Sequence, residues 1–203
     1  VYDDVPYFLF GHSMGSFLAR TYAARHGGDM DGYIFCGTAG ANPALPVARL
    51  NAKAEIKNKG TTAQSKALND LSFGAYNKAF RPNRTEFDWL SVNEENVDRY
   101  VADDECGYIF TAGGFRDLFD GLVEVGAKEW AGNVPLKPIL LIAGALDPVG
   151  ANGKGPREVE KALRAAGHDA KLILYEGMRH EIHNETGKEK VYQDILSFLE
   201  AHI

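Results

Sequence analysis

The sequence has few cysteines, no cluster of basic residues and no long apolar run. Its two cysteines, Cys36 and Cys106, lack the spacing of a metal or redox motif, which predicts free thiols and a cytoplasmic location. The net charge of −6 without a basic patch argues against a nucleic-acid partner. No apolar run reaches the roughly 20 residues of a transmembrane helix, so no transmembrane segment is predicted.

Short apolar runs alternate with helical patterns at both ends of the chain. The predicted strands are 5–10, 32–36, 138–143 and 170–175, and the predicted helices between and after them are 16–26, 156–166 and 189–202. This alternation is typical of an α/β fold with right-handed crossovers. It predicts a parallel sheet whose four strands lie side by side in chain order. The first run, 5–10, is apolar and aromatic, which predicts a strand buried on both faces.

The middle of the chain lacks this alternation of strands and helices. Helical patterns cover 44–59, 62–71, 94–101 and 116–129, with no convincing strand among them. Aromatic residues are dense there: Phe73, Tyr76, Phe80, Phe87, Trp89, Tyr100, Tyr108, Phe110, Phe115 and Phe119. The predicted organisation is therefore a core formed by residues 1–42 and 131–203 that is interrupted by a helical insertion, residues 43–130.

A G-x-S-x-G sequence occupies residues 11–15, between the first predicted strand and the first predicted helix. A serine on such a sharp turn adopts a strained backbone and projects its hydroxyl above the sheet. Gly11 and Gly15, two residues either side of it, are expected to let the chain pass close to its neighbours. The helix that follows points its first N–H groups at the oxyanion that develops during acyl transfer. The context predicts that Ser13 is a nucleophile.

A serine nucleophile needs a base, and the base needs a carboxylate that orients it. Asp147 follows the third predicted strand and His180 follows the fourth, which is the chain order of this type of triad. Taken alone, Asp147 before Pro148 also fits a turn residue. His183 is the one rival base, for which a supporting role is expected.

Three motifs together resemble one known family. They are GHSMGS at 11–16, GALDPVGxxGKG at 144–155 and RHEIxNE at 179–185, and FDWLS and YVADDECG in the insertion add to them. The sequence is similar to the lysophospholipase and monoacylglycerol-lipase-like branch of the α/β-hydrolases, which is also grouped with serine aminopeptidases. The resemblance implies the same Ser13, Asp147 and His180 roles, the Met14 backbone N–H as an oxyanion donor, and an insertion that serves as a lid.

The resemblance also implies that this chain corresponds to the C-terminal part of the fold, about strands five to eight. In that family the sharp turn that carries the nucleophile, called the nucleophile elbow, follows the fifth strand. The loop with the second oxyanion donor precedes that strand. The apolar strand near Val5 is expected to be covered by upstream residues, by another chain or by a symmetry mate.

The function predicted from these residues is hydrolysis of carboxylic esters, with a small-molecule ester or lipid as the partner. The aromatic insertion suggests an apolar acyl pocket for a monoglyceride or lysophospholipid. Two alternatives stay open: a small-peptide serine aminopeptidase, and a fragment that binds without turnover. No cofactor is implied, and no His/Asp/Glu cluster along the sequence suggests a metal.

Overall fold

Apolar runs bounded by glycine and proline form the central sheet. The computed structural model describes residues 5–203. The strands are β1 (Phe8–His12), β2 (Gly32–Cys36), β3 (Ile139–Gly144) and β4 (Ala170–Tyr175). All neighbouring pairs are parallel, in the order β1-β2-β3-β4. The predicted parallel sheet in chain order is confirmed; its place as strands five to eight of a longer sheet stays a prediction.

Seven α-helices accompany the sheet in the described residues. They are α1 (Met14–His26), α2 (Leu45–Lys59), α3 (Lys66–Phe73), α4 (Glu94–Ala102), α5 (Ala112–Val125), α6 (Lys154–Ala165) and α7 (Lys188–Glu200). Helices α1 and α6 connect successive strands, and α2 to α5 lie in the insertion between β2 and β3. None of these helices combines the length and the apolar character that a membrane span requires.

Alternation along the buried strands divides the core between the two faces of the sheet. Tyr33 and Phe35 of β2 pack with residues of α1 and α6 on one face. Ile34 and Cys36 pack on the other face with residues of α7. A third apolar cluster belongs to the insertion and joins α2, α3 and α5.

Arg20 of α1 ties the sheet to the end of the insertion. Its guanidinium is buried and donates hydrogen bonds to the carbonyl oxygens of Ala39, at 2.8 Å, and Val125, at 2.6 Å. It also lies 4.3 Å from the ring centroid of Trp130, whose Nε1 donates to the Arg20 carbonyl. Burial lowers the pKa of Arg20 to about 9. These bonds fix where the chain leaves and re-enters the core.

The bounds of three predicted elements differ from the structure by more than two residues. The predicted helix 62–71 is α3, which begins four residues later and ends two residues later. The predicted helix 116–129 is α5, which begins and ends four residues earlier. Thr111 caps it by accepting a hydrogen bond from the Gly114 N–H, so the helix starts in spite of a glycine pair. Strand β1 begins at Phe8 and continues through Gly11 and His12, because both residues pair with β2.

The first strand also differs from the prediction in its burial. It was predicted to be buried on both faces, yet Phe10 is 43% exposed. The reason is that β1 is an edge of the sheet formed by the described residues.

Candidate active site

Ser13 stands at the junction of β1 and α1 in a strained conformation. Its φ is 56° and its ψ −123°, values that non-glycine residues rarely adopt. The turn is held because the Ser13 N–H donates to the Cys36 carbonyl, at 3.0 Å. The Ser13 carbonyl also accepts from the N–H and the hydroxyl of Ser16. A strained serine between a strand and a helix is the geometry expected of a nucleophile elbow; the nucleophile role of Ser13 itself stays a prediction.

Helix α1 begins directly after the serine, at Met14. The first four N–H groups of a helix have no acceptor within it, and they carry the positive end of the helix dipole. The Met14 N–H is one of them, so it is available to an oxyanion beside Ser13. Its role as an oxyanion donor stays a prediction.

The two glycines of the motif have different structural roles. A Cβ on Gly11 would lie 2.3 Å from the Gly15 carbonyl oxygen and 2.8 Å from the Ala19 Cβ, so only glycine fits there. A Cβ on Gly15 would meet nothing within 4 Å in the described part of the chain. The prediction that both glycines permit close approach is therefore confirmed for Gly11 and wrong for Gly15.

We expect Gly11→Ala to disrupt the elbow and Gly15→Ala to be tolerated. The first change forces β1 and α1 apart and should lower the free energy of unfolding by about 1–3 kcal/mol, as overpacking does. The second replaces glycine by a better helix former and should raise it by up to about 1 kcal/mol. Urea denaturation of both variants measures the difference. Equal effects of the two changes would contradict the assignment.

Asp147 and His180 form a buried pair. His180 Nδ1 lies 2.9 Å from Asp147 Oδ2, and the side chains are 2% and 0% exposed. The other carboxylate oxygen accepts from the Val149 N–H, at 2.9 Å. Asp147 follows β3 and His180 follows β4, so parallel pairing brings the two loops to the same end of the sheet. A carboxylate in this position holds the imidazole with its proton on Nδ1.

Ser13 and His180 line one cavity of about 900 Å³. The hydrogen bonds of His180 in the described residues run to Asp147 and His12. A bond from the Ser13 hydroxyl to His180 Nε2 stays a prediction, which a looser apo geometry accommodates.

The insertion supplies much of the wall of this cavity. Eight of its eleven aromatic residues line it: Phe73, Tyr76, Phe87, Trp89, Tyr100, Tyr108, Phe110 and Phe119. The Trp89 ring lies 5.3 Å from that of His180, and the Tyr76 ring 5.0 Å from that of Trp89. Burial, with the negative charge of Asp147, raises the pKa of Tyr76 to about 12, so its phenol stays protonated.

A second cavity of about 500 Å³ adjoins the first between α1 and α5. Six residues line both cavities: Met14, Phe17, Tyr108, Ile109, Phe110 and Leu118. The two spaces therefore meet beside the first residue of α1, and apolar side chains form most of their shared wall.

Two neutral histidines, His12 and His183, pack behind His180. Burial, followed by the charges of His180 and His183, lowers the pKa of His12 to about 3. Burial also lowers the pKa of His183. A neutral His12 donates from Nε2 to the His180 carbonyl, at 3.2 Å, and its ring packs against His183 with centroids 4.5 Å apart. These rings add no positive charge beside an imidazolium formed at His180.

His12, Cys36 and His183 also bring three potential metal ligands within 4.8 Å of one another. The sequence did not indicate this cluster, because its members lie on separate elements. His12 Nε2 already bonds the His180 carbonyl, and burial raises the pKa of the Cys36 thiol, which opposes the thiolate that a metal would need. We therefore interpret the cluster as packing behind His180.

Comparison with known proteins identifies the family. The family described as serine aminopeptidase, S33, matches residues 2–187. A monoacylglycerol lipase of Mycolicibacterium smegmatis is 26% identical over an alignment 210 residues long, which covers 100% of this chain and 65% of that protein.

Solved structures of hydrolases have the same fold as this chain. A thermostable carboxyl esterase from Bacillus coagulans, in complex with glycerol, is 33% identical with a TM-score of 0.93, covering 99% of this chain and 66% of its own. The monoacylglycerol lipase of Paleococcus ferrophilus, 22% identical, shares the fold with a TM-score of 0.72 over 97% of this chain and 68% of its own.

The chain spans just under two thirds of the length of the Mycolicibacterium and Bacillus relatives. The family assignment rests on the match over residues 2–187. The chain belongs to the serine aminopeptidase S33 family, in the monoacylglycerol-lipase-like branch of the α/β-hydrolases.

Proposed function

We propose that the protein is a serine hydrolase that cleaves carboxylic esters through an acyl-enzyme on Ser13. The observation that carries this proposal is the buried Asp147–His180 pair, which opens on the same cavity as a strained serine at the start of a helix. The names of two relatives, a carboxyl esterase and a monoacylglycerol lipase, support it.

In the proposed reaction the Ser13 oxygen attacks the ester carbonyl carbon, and His180 Nε2 takes the hydroxyl proton. Asp147 orients the imidazole and stabilises its positive charge. The Met14 N–H donates to the oxyanion of the tetrahedral intermediate. Collapse breaks the bond to the alcohol, which leaves with the proton from His180. A water then attacks the acyl-enzyme by the same steps, releasing the acid and restoring Ser13.

We further propose that residues 43–130 act as a lid over a core formed by residues 1–42 and 131–203. The substrate would be a lipid ester such as a monoglyceride or lysophospholipid. The aromatic wall beside His180 supports this, and the apolar cavity between α1 and α5 is suited to hold an acyl chain.

The expected result is a rate that rises with acyl length. Each CH₂ that enters an apolar pocket contributes about 0.8 kcal/mol, or about fourfold in kcat/KM. A series of p-nitrophenyl esters from acetate to decanoate measures this slope on the intact protein. Amino-acid p-nitroanilides test the peptidase alternative in the same assay. A flat or falling slope contradicts the lipid proposal, and faster anilide cleavage favours the peptidase.

Gly121 of α5 offers a variant that fills the proposed acyl cavity. It lines that cavity, and a Cβ there would meet nothing within 4 Å in the described chain. Gly121→Leu should therefore shorten the acyl chain that is accepted and leave acetate cleavage unchanged. Gly121→Ala is the matched control, because it gains helix propensity without filling the space. Equal decanoate rates for the two variants would place the acyl chain elsewhere.

A further inference from the structure

Hydrogen bonds join the loop that carries His180 to one part of the insertion. We call residues 176–187, between β4 and α7, the base loop, and residues 88–96 the anchor segment. The Glu181 N–H donates to the Leu90 carbonyl at 2.8 Å, and Asn96 Nδ2 donates to Glu181 Oε2 at 2.7 Å. The Arg179 guanidinium donates to the Ser91 carbonyl at 3.1 Å. The bonds therefore flank His180 on both sides.

Glu185 is the centre of this contact. Its carboxylate accepts from the Ser91 hydroxyl at 2.7 Å and from the Val92 N–H at 2.9 Å, both in the anchor segment. It also accepts from the Arg179 N–H at 2.8 Å, in the residue directly before His180. One carboxylate thus bonds the anchor segment and the base loop at the same time.

Burial makes these bonds important. Glu185 is 1% exposed and Ser91 2% exposed. A carboxylate without water around it must have its lone pairs satisfied by nearby donors, and removing one donor leaves it poorly solvated. Neither residue lines the cavity that contains Ser13 and His180, so neither is placed to contact a substrate there.

We propose that Glu185 is a positioning residue that clamps the base loop to the anchor segment. The clamp holds His180 and the Trp89 ring in one arrangement, so a displacement of the insertion also displaces the base. This inference rests on the proposed function, since it concerns the placement of the base in that reaction. It gives the insertion a role in the chemical step as well as in substrate binding.

The test measures kcat and KM for p-nitrophenyl butyrate with the intact protein and three variants. Glu185→Gln keeps the shape but loses one of the two acceptor oxygens, and Ser91→Ala removes only the bond from the insertion. Displacement of a catalytic group by about 1 Å costs about 100-fold, so we expect kcat to fall about 10- to 100-fold in E185Q. For S91A we expect a smaller loss, of about three- to tenfold, and KM should stay within about twofold in both.

Glu55→Gln is the matched control. Glu55 also accepts a hydrogen bond from a serine of the insertion, Ser65, at 3.0 Å, but it makes no bond to the base loop in the described residues. The kcat of E55Q should stay at the wild-type value. All assays are run well below the unfolding midpoint of each variant, and S91A decides the question if E185Q does not fold.

The outcomes separate the two claims. A wild-type protein that hydrolyses no ester would remove the proposed function itself. An active wild type with native kcat in S91A and E185Q would overturn the clamp alone. The clamp is equally overturned by changes confined to KM, or by an E55Q loss as large as that of E185Q.

Discussion

Replacing Ser13 by alanine is expected to lower kcat for ester hydrolysis by about 10⁶-fold, the loss seen when a triad serine is removed. In the proposed reaction the hydroxyl oxygen forms the bond to the acyl group, and alanine has no atom that could take its place. Steady-state hydrolysis of p-nitrophenyl butyrate measures the loss. A variant with more than a tenth of the wild-type rate would contradict the nucleophile assignment.

Ser13→Gly is the structural control for this variant. It also removes the hydroxyl, and it relieves a residue with φ of 56° from a conformation that costs about 1–3 kcal/mol. The relief of strain is partly offset by the conformational entropy that a flexible glycine loses on folding. The free energy of unfolding should therefore rise by about 1 kcal/mol, and Tm by about 2–4 °C. Ser13→Ala keeps the strain and should unfold near the wild-type temperature. Identical Tm values for the two variants would argue against a strained elbow.

The second large effect is expected from Asp147→Asn, about 10⁴-fold in kcat. The carboxylate is fully buried and accepts from His180 Nδ1. The amide oxygen can keep the bond from the Val149 N–H, which leaves the NH₂ group facing the imidazole. Donation from that group places the ring proton on Nε2, which then cannot take the Ser13 proton.

Asp194→Asn serves as the control for this change. Asp194 accepts from the Tyr175 hydroxyl at 3.1 Å on α7, away from the cavity that contains Ser13. Its kcat should stay within about twofold of wild type. Near-native hydrolysis by Asp147→Asn, with an unchanged fold by circular dichroism, would remove the carboxylate from the proposed triad.

The sheet was predictable because its strands are short apolar runs with glycine or proline at their ends. Buried parallel strands have this character, and crossovers between neighbours fix their order. The same reasoning predicted that Asp147 and His180 lie together, because each follows the carboxyl end of one of two neighbouring parallel strands. The start of α5 was missed because Gly113 and Gly114 made a helix there look unfavourable. Thr111 caps the helix in spite of these glycines, and a capping threonine is hard to distinguish from a turn residue in the sequence.

The contacts that support the site were much less predictable. His12 reaches the His180 carbonyl and Glu185 reaches Ser91 across large separations in the chain. Neither pair has local periodicity or spacing that would reveal it, because the partners lie far apart in the chain and meet only in the folded protein. Residue type alone gives Glu185 no signal beyond its place in the third motif.

The identity of the nucleophile is tested most directly by covalent labelling of the intact protein with a fluorophosphonate. After digestion, mass spectrometry should find one phosphonate adduct, at Ser13, in the peptide that contains residues 11–20. The adduct should be absent from Ser13→Ala and form far more slowly in Asp147→Asn. Ester hydrolysis by a protein that gains no adduct, or an adduct at another residue that abolishes the activity, would contradict the assignment.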